Sequence, residues 1–127
     1  MDLADLPKVD LPVDIPRMAA AAAAMVRRAL ESFIEGKAEL AQAVLEMDNV
    51  VDRMKDEAFI TLVKTMNERP EVTRQALDAL LVARNLERVA DHATNIAEDV
   101  IFWVRGADVR HNVPQEPDSH QEVTDRT

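Results

Sequence analysis

The chain contains no cysteine and only two glycines among its 127 residues. Without cysteine there can be no disulfide bond and no thiolate metal site, which fits a reducing compartment. The 15 basic side chains are outnumbered by 24 acidic ones, and this balance argues against nucleic acid as a partner. The longest uncharged stretch, MAAAAAAMV at 18–26, is too short and too weakly hydrophobic to span a bilayer. A cytoplasmic protein is therefore the default expectation.

Both ends of the chain are acidic. Residues 1–15 contain two prolines and four aspartates, and residues 112–127 contain no Leu, Ile, Met or aromatic residue. The C-terminal segment therefore cannot bury enough apolar surface to offset the entropy of ordering the chain. We therefore expect a linker over 1–15, a folded domain over 16–106, and a mostly disordered acidic tail over 107–127.

Proline and glycine divide the middle of the chain into three helical segments. Pro16 suits the first turn of a helix and Gly36 suits a left-handed helix end, so a first helix is predicted over 17–35. A second helix is predicted over 37–67, and after the turn NERP a third helix ends at Gly106. Because no alternating apolar pattern competes, the sequence predicts an all-α fold, an antiparallel three-helix bundle.

Apolar residues that recur about every 100° around each helix predict the buried faces. The second helix has one apolar stripe. The third helix has two apolar columns and should meet two neighbours, whereas the small side chains of the first helix allow close approach. The predicted core positions are Met18, Met25, Val26, Leu30, Phe33 and Ile34 on the first helix, Leu40, Val44, Met47, Val51, Met54, Ala58 and Leu62 on the second, and Ala76, Ala83, Ala90, Ala97 and Val104 with Val82, Val89, Ile96 and Trp103 on the third.

Oxygen-bearing side chains lie on the shoulders of these apolar faces. Asp48 and Asp52 are one turn apart on the second helix. Glu87, Asp91, Asn95 and Glu98 follow one another on the third at spacings of four, four and three. The antiparallel register about the turn near residue 69 places Asp48 level with Asp91, and Asp52 level with Glu87. Four carboxylates are thus expected to converge if the two shoulders face the same side.

A converging set of carboxylates has two interpretations. Like charges one turn apart cost about 0.2–0.5 kcal/mol per pair, so protonation or a hard cation such as Mg²⁺, Mn²⁺, Ca²⁺ or Fe³⁺ would relieve the repulsion. The alternative is a solvated acidic face, neutralised by ordinary ion pairs with Arg53, Lys55, Arg84 and Arg88. The sequence has no nucleophile–base pair and no glycine-rich phosphate loop, so we do not expect an enzyme. A metal-dependent hydrolase would have to rely on a metal-bound water.

Two stretches resemble a known family. ARNLERVADHATNIAEDVIFWVRGADVRH at 83–111 resembles the end of PhoU, the phosphate-signalling accessory protein of bacteria, and EMDNVVD at 46–52 resembles the motif in the preceding helix. Members of the PhoU family contain two three-helix repeats, each with paired Glu/Asp-x-x-x-Asp motifs that ligate metal ions, in some members as multinuclear iron clusters. The resemblance implies that this chain corresponds to the second repeat, either as a fragment of a longer protein or as a single-repeat relative. It also implies the metal ligands, which are Asp48, Asp52, Glu87, Asp91 and Asn95.

The resemblance further implies a regulatory role. PhoU-like proteins repress the phosphate-starvation response, and they link the ATPase subunit of the phosphate ABC transporter to a membrane sensor histidine kinase. They are cytoplasmic and reach the membrane only through these partners. We therefore expect a binding module that holds iron, manganese or magnesium and forms a homo-oligomer, with Trp103, Leu77 and Leu81 as candidate contact residues. The alternative is a metal-free helical module that binds a partner helix through its apolar columns.

Overall fold

Three helices account for nearly all of the described chain. The computed structural model describes residues 10–112, with side chains through residue 107. Helix α1 spans Ile15–Glu35, α2 spans Ala38–Glu68, and α3 spans Thr73–Asn112 after a short 3₁₀ turn at Pro70–Val72. Each helix packs against the other two. The predicted all-α three-helix bundle is confirmed.

The ends of α1 follow from their local sequence. The Asp14 carboxylate accepts a hydrogen bond of 3.0 Å from the backbone N–H of Arg17, and Pro16 lies in the first turn. At the other end Gly36 adopts a φ of 65°, the left-handed conformation that glycine tolerates best. The next backbone N–H, from Lys37, donates to the Ser32 carbonyl at 3.2 Å. Capping therefore fixes where α1 begins and ends, and α2 must fold back along it.

The predicted end of the third helix at Gly106 is wrong. Helix α3 continues to Asn112, and within residues 10–112 only Gly36 has a positive φ. A glycine inside a helix costs about 1 kcal/mol relative to alanine, which is too little to end a long helix by itself. The next residue that a helix interior excludes is Pro114. Residues assigned to the tail over 107–112 thus belong to α3, and 113–127 lie outside the described residues.

Small side chains dominate the core. The α3 alanine column predicted from the sequence is buried, and the α2 stripe packs on it with its valines and Leu62 fully buried and its methionines partly so. On α1, Met18 and Met25 are buried as predicted. Alanine at the contacts lets the helix axes approach closely.

The flanking apolar residues are more exposed than the sequence predicted. Val82, Val89 and Trp103 on α3 are each more than a third exposed, and Leu30, Phe33 and Ile34 near the end of α1 are exposed as well. Because small residues bring the helices close together, α1 and α2 cover only the central part of the wide apolar face of α3. The Phe33 and Trp103 rings meet edge to face at 5.8 Å on this outer surface.

Candidate metal site in the groove between α2 and α3

Acidic side chains from α2 and α3 act on one another in the groove between these helices. Burial raises the pKa of the Asp48 carboxyl, and the negative charges of Asp52, Asp91, Glu87 and Glu98, in that order, raise it further. These five residues are called the acidic cluster below. Asp48 therefore lies within electrostatic reach of one carboxylate on its own helix and three on the facing helix.

One cation reaches this cluster directly. The Lys55 Nζ lies 3.3 Å from Glu87 Oε2 across the groove and 3.0 Å from Asp56 Oδ1 on its own helix. The hydrogen bond to Asp56 raises the pKa of Lys55 most, and the contact with Glu87 raises it further against an opposing effect of burial. Glu87 is consequently already paired with a positive charge, whereas no ion pair reaches Asp48, Asp52 or Asp91 within the described side chains.

The remaining cations near the cluster do not neutralise it. Arg53, Arg84 and Arg88 form no ion pair with an acid in the part of the chain whose side chains are described. The sequence suggested four cations that could neutralise the acidic face through ion pairs. Of these four, only Lys55 forms such a pair. The cluster retains an excess of negative charge around the partly buried Asp48.

The donor set suits a hard cation, but the side chains are not gathered into a finished site. Asp52, Asp91 and Asn95 are exposed, whereas Asp48 and Glu87 are partly buried. Among residues 10–107, no three His, Cys, Asp or Glu side chains stand close enough together to hold a metal ion. Carboxylate and amide oxygens are the ligands that Mg²⁺, Mn²⁺ and Fe³⁺ accept, and exposed side chains can change rotamer at little cost. The residues present thus fit such an ion chemically.

The same groove becomes apolar toward the α2–α3 turn. There it encloses about 520 Å³, and Phe59, Leu77 and Leu81 on its walls are each about half exposed. We call this part the apolar groove. Its lining consists of Lys55, Phe59, Leu77, Leu80, Leu81, Ala83, Arg84 and Glu87. Lys55 and Glu87 therefore stand at the boundary between the apolar groove and the acidic cluster.

Sequence reasoning singled out Leu77 and Leu81 but missed two members of this surface. Phe59 lies on the same α2 stripe as Asp52, two turns further on, and Leu80 completes the facing wall on α3. Glu98 adds its charge to the field at Asp48, although the predicted ligand set contained Asn95 instead. The helical spacing of Phe59 was a usable signal.

The sequence of the chain matches the model of one protein family. The model of the PhoU domain matches residues 15–100, which include both acidic motifs. The chain belongs to the PhoU family. In the described residues, no helix of this family member combines the length and apolar character needed to cross a membrane.

Curated members of the PhoU family match the chain over most of its length. A phosphate-specific transport system accessory protein PhoU homolog of Pseudomonas aeruginosa is 46% identical over 87 residues, covering 68% of this chain and 36% of the relative. The homolog of Pseudomonas putida is 45% identical over 87 residues, with 68% and 34% covered. The PhoU homolog 2 of Thermotoga maritima is 34% identical over 106 residues, with 84% and 45% covered. The chain thus spans between about a third and a half of these relatives, and no solved structure matches it.

Proposed function

We propose that this chain is a regulatory module of the phosphate-specific transport system, and that it binds a hard metal cation in the groove between α2 and α3. The observation that carries the metal proposal is that the partly buried Asp48 lies in the electrostatic field of acidic side chains from both helices. Removing a carboxylate from water while surrounding it with like charges is unfavourable unless a proton or a cation compensates. A divalent or trivalent ion compensates several carboxylates at once.

The proposed ligands come from both helices. Asp48 and Asp52 on α2, and Glu87, Asp91 and Asn95 on α3, supply oxygen donors to iron, manganese or magnesium. When bound, the ion neutralises the repulsion among the carboxylates. Because the donors belong to facing helices, these residues would also hold α2 and α3 in a fixed register. The proposed role is binding and signalling, and it assigns no catalytic step to the chain.

The regulatory part of the proposal rests on family membership. The curated relatives are named as accessory proteins of a phosphate-specific transport system. We extend that role to this chain as negative regulation of the phosphate-starvation response and of phosphate uptake. The partners proposed are the ATPase subunit of a phosphate ABC transporter and a sensor histidine kinase. The chain would act in the cytoplasm as a homo-oligomer that reaches the membrane only through them.

The double variant Asp48→Ala/Glu87→Ala tests the metal proposal. Elemental analysis of purified protein should show loss of bound metal, while circular dichroism retains the helical signal because both side chains lie outside the alanine core. A matched control is Glu68→Ala/Asp78→Ala, which removes the same charge from exposed positions on the same two helices. Equal metal content in the wild-type protein and in Asp48→Ala/Glu87→Ala would contradict the proposal.

A second candidate function is a metal-free module that binds a partner helix. The apolar groove favours this candidate, because a cleft between two helices with exposed Phe59, Leu77 and Leu81 has the shape and polarity of a helix-binding surface. Melting curves before and after treatment with a chelator separate the two candidates. A lower melting temperature after chelation supports the metal proposal. An unchanged curve together with no bound metal supports the metal-free module.

A further inference from the structure

Lys55 occupies a particular place in the groove. Its side chain is 29% exposed and that of Glu87 is 30% exposed, so the 3.3 Å ion pair between them is only partly exposed to solvent. The pair crosses from α2 to α3 and is the one cation–carboxylate contact between helices in the described side chains. It therefore differs from the other ion pairs, which join neighbours in sequence at the surface.

The position of Lys55 follows from helical geometry. It lies two turns after Asp48 on α2, which sets both side chains on the same face toward α3. The ammonium group reaches Glu87 while its aliphatic stem lines the apolar groove beside Phe59. A positive charge that belongs to the protein itself is thus held at the edge of the acidic cluster, against one of the carboxylates proposed as a metal ligand.

We propose that Lys55 is a tethered counter-cation that occupies Glu87 in the metal-free protein and that a metal ion must displace. This inference rests on the proposed metal binding. A metal ion and the ammonium group compete for the same carboxylate oxygens, so Lys55 lowers the affinity of the site for the ion. Its second partner, Asp56, gives the displaced ammonium group a carboxylate to keep, since Asp56 lies next to Lys55 on α2 and 3.0 Å from its Nζ.

The variant Lys55→Met tests the competition, because methionine keeps an unbranched, apolar stem in the groove and removes the charge. After removal of metal with a chelator, the full chain is titrated with MnCl₂ in a calorimeter. We expect Lys55→Met to bind Mn²⁺ about two- to fivefold more tightly than the wild-type protein, the range that corresponds to losing one partly exposed ion pair. Lys64→Met is the matched control. Lys64 is exposed on the same helix without an ion pair in the described side chains, so that variant should bind like the wild type.

A spectroscopic measurement reports displacement independently of affinity. The ¹⁵N–¹H signal of the Lys55 ammonium group is compared in the metal-free protein, in Glu87→Gln without metal, and in the wild-type protein saturated with MgCl₂. Displacement predicts that Mg²⁺ shifts this signal in the direction that Glu87→Gln does. A signal that Mg²⁺ leaves in place, while Mg²⁺ binds, overturns the inference.

The calorimetric outcomes separate this inference from the proposal beneath it. Tighter binding by Lys55→Met, with Lys64→Met unchanged, supports the competition. If Lys55→Met binds Mn²⁺ as tightly as the wild type, or more weakly, the inference is overturned and the metal proposal stands. An equal gain in Lys55→Met and Lys64→Met overturns it as well, because net charge alone then explains the effect. No binding by any of the three proteins refutes both the metal proposal and the inference.

Discussion

The two halves of the α2–α3 groove are built on the same helices and the same core, yet they present opposite chemistry. Toward the turn at Arg69 the walls are apolar, with Phe59 facing the leucines of α3. Toward the other end the walls are acidic, with Asp48 facing Asp91. The backbone register is common to both halves, so the difference lies entirely in which side chains occupy the groove positions. One scaffold thus carries an acidic and an apolar surface side by side, with Lys55 at their boundary.

The largest expected effect comes from breaking the core under the apolar half. Leu62 is 0% exposed, whereas Leu81 on the groove wall is 58% exposed. Leu62→Ala should lower the free energy of unfolding by about 2–5 kcal/mol through lost burial and a cavity. Leu81→Ala, the same chemical change at the surface, should stay within about 0.5 kcal/mol. Urea denaturation of both variants checks this, and equal losses would mean that Leu81 is buried in solution against another chain.

The second-largest effect is expected from added metal, which should stabilise the fold through the acidic half of the groove only. If the acidic cluster binds Mn²⁺, a free concentration of about 100 times the dissociation constant stabilises the fold by about 2.7 kcal/mol. Asp48→Asn/Asp52→Asn should lose this stabilisation, whereas Leu77→Ser in the apolar half should retain it. Thermal melting with and without Mn²⁺ measures the difference. Stabilisation that survives in Asp48→Asn/Asp52→Asn would place the ion elsewhere on the chain.

The pH dependence of stability should also be specific to the acidic half. Because the pKa of Asp48 is raised above its ordinary value of 3.8, the folded protein holds this proton more tightly than the unfolded chain does. The resulting stabilisation is complete below 3.8 and is lost as the pH rises through the raised pKa. In metal-free protein, the free energy of unfolding of the wild type should therefore fall relative to that of Asp48→Asn across this window. Urea denaturation at a series of pH values tests it, with Asp78→Asn as the control for loss of one exposed charge. A constant difference between wild type and Asp48→Asn would refute the prediction.

The smallest effect is expected at the boundary between the halves. Glu87→Gln removes the ion pair with Lys55, and in the metal-free protein this should cost about 0.2–1 kcal/mol. Raising the salt concentration should shrink the difference between Glu87→Gln and the wild type, because a partly exposed pair is screened. Chemical denaturation at low and high salt measures both quantities. A cost that does not depend on salt would indicate a packing role for Glu87.

The sequence was informative where a local rule acts and weaker where several helices compete for one surface. Gly36 ended α1 as predicted because left-handed backbone after a helix needs glycine. Gly106 did not end α3, because glycine only weakens a helix whose next residues are compatible with it. The antiparallel register predicted from the turn position placed Asp48 level with Asp91 and Asp52 level with Glu87, and in the fold the charges of Asp91 and Glu87 both act on Asp48.

Packing at the flanks could not be predicted from periodicity. The spacing that marks Val82, Val89 and Trp103 as apolar is the same whether a neighbouring helix reaches them or not. Which cation would pair with Glu87 was equally open, since four basic side chains lay near enough in sequence. Only the three-dimensional distances selected Lys55. Metal binding itself stays a prediction of the sequence and its family.

The alanine contacts between the helices have a mechanical consequence. Alanine has no side-chain rotamers, so Ala29 on α1 and Ala90 and Ala97 on α3 cannot absorb a displacement by repacking, whereas Met47 and Met54 on α2 can. If a ligand in the groove pushes α2 relative to α3, the side chains that adjust are therefore those of α2. It follows that α1 and α3 would keep their relative position while α2 shifts against them.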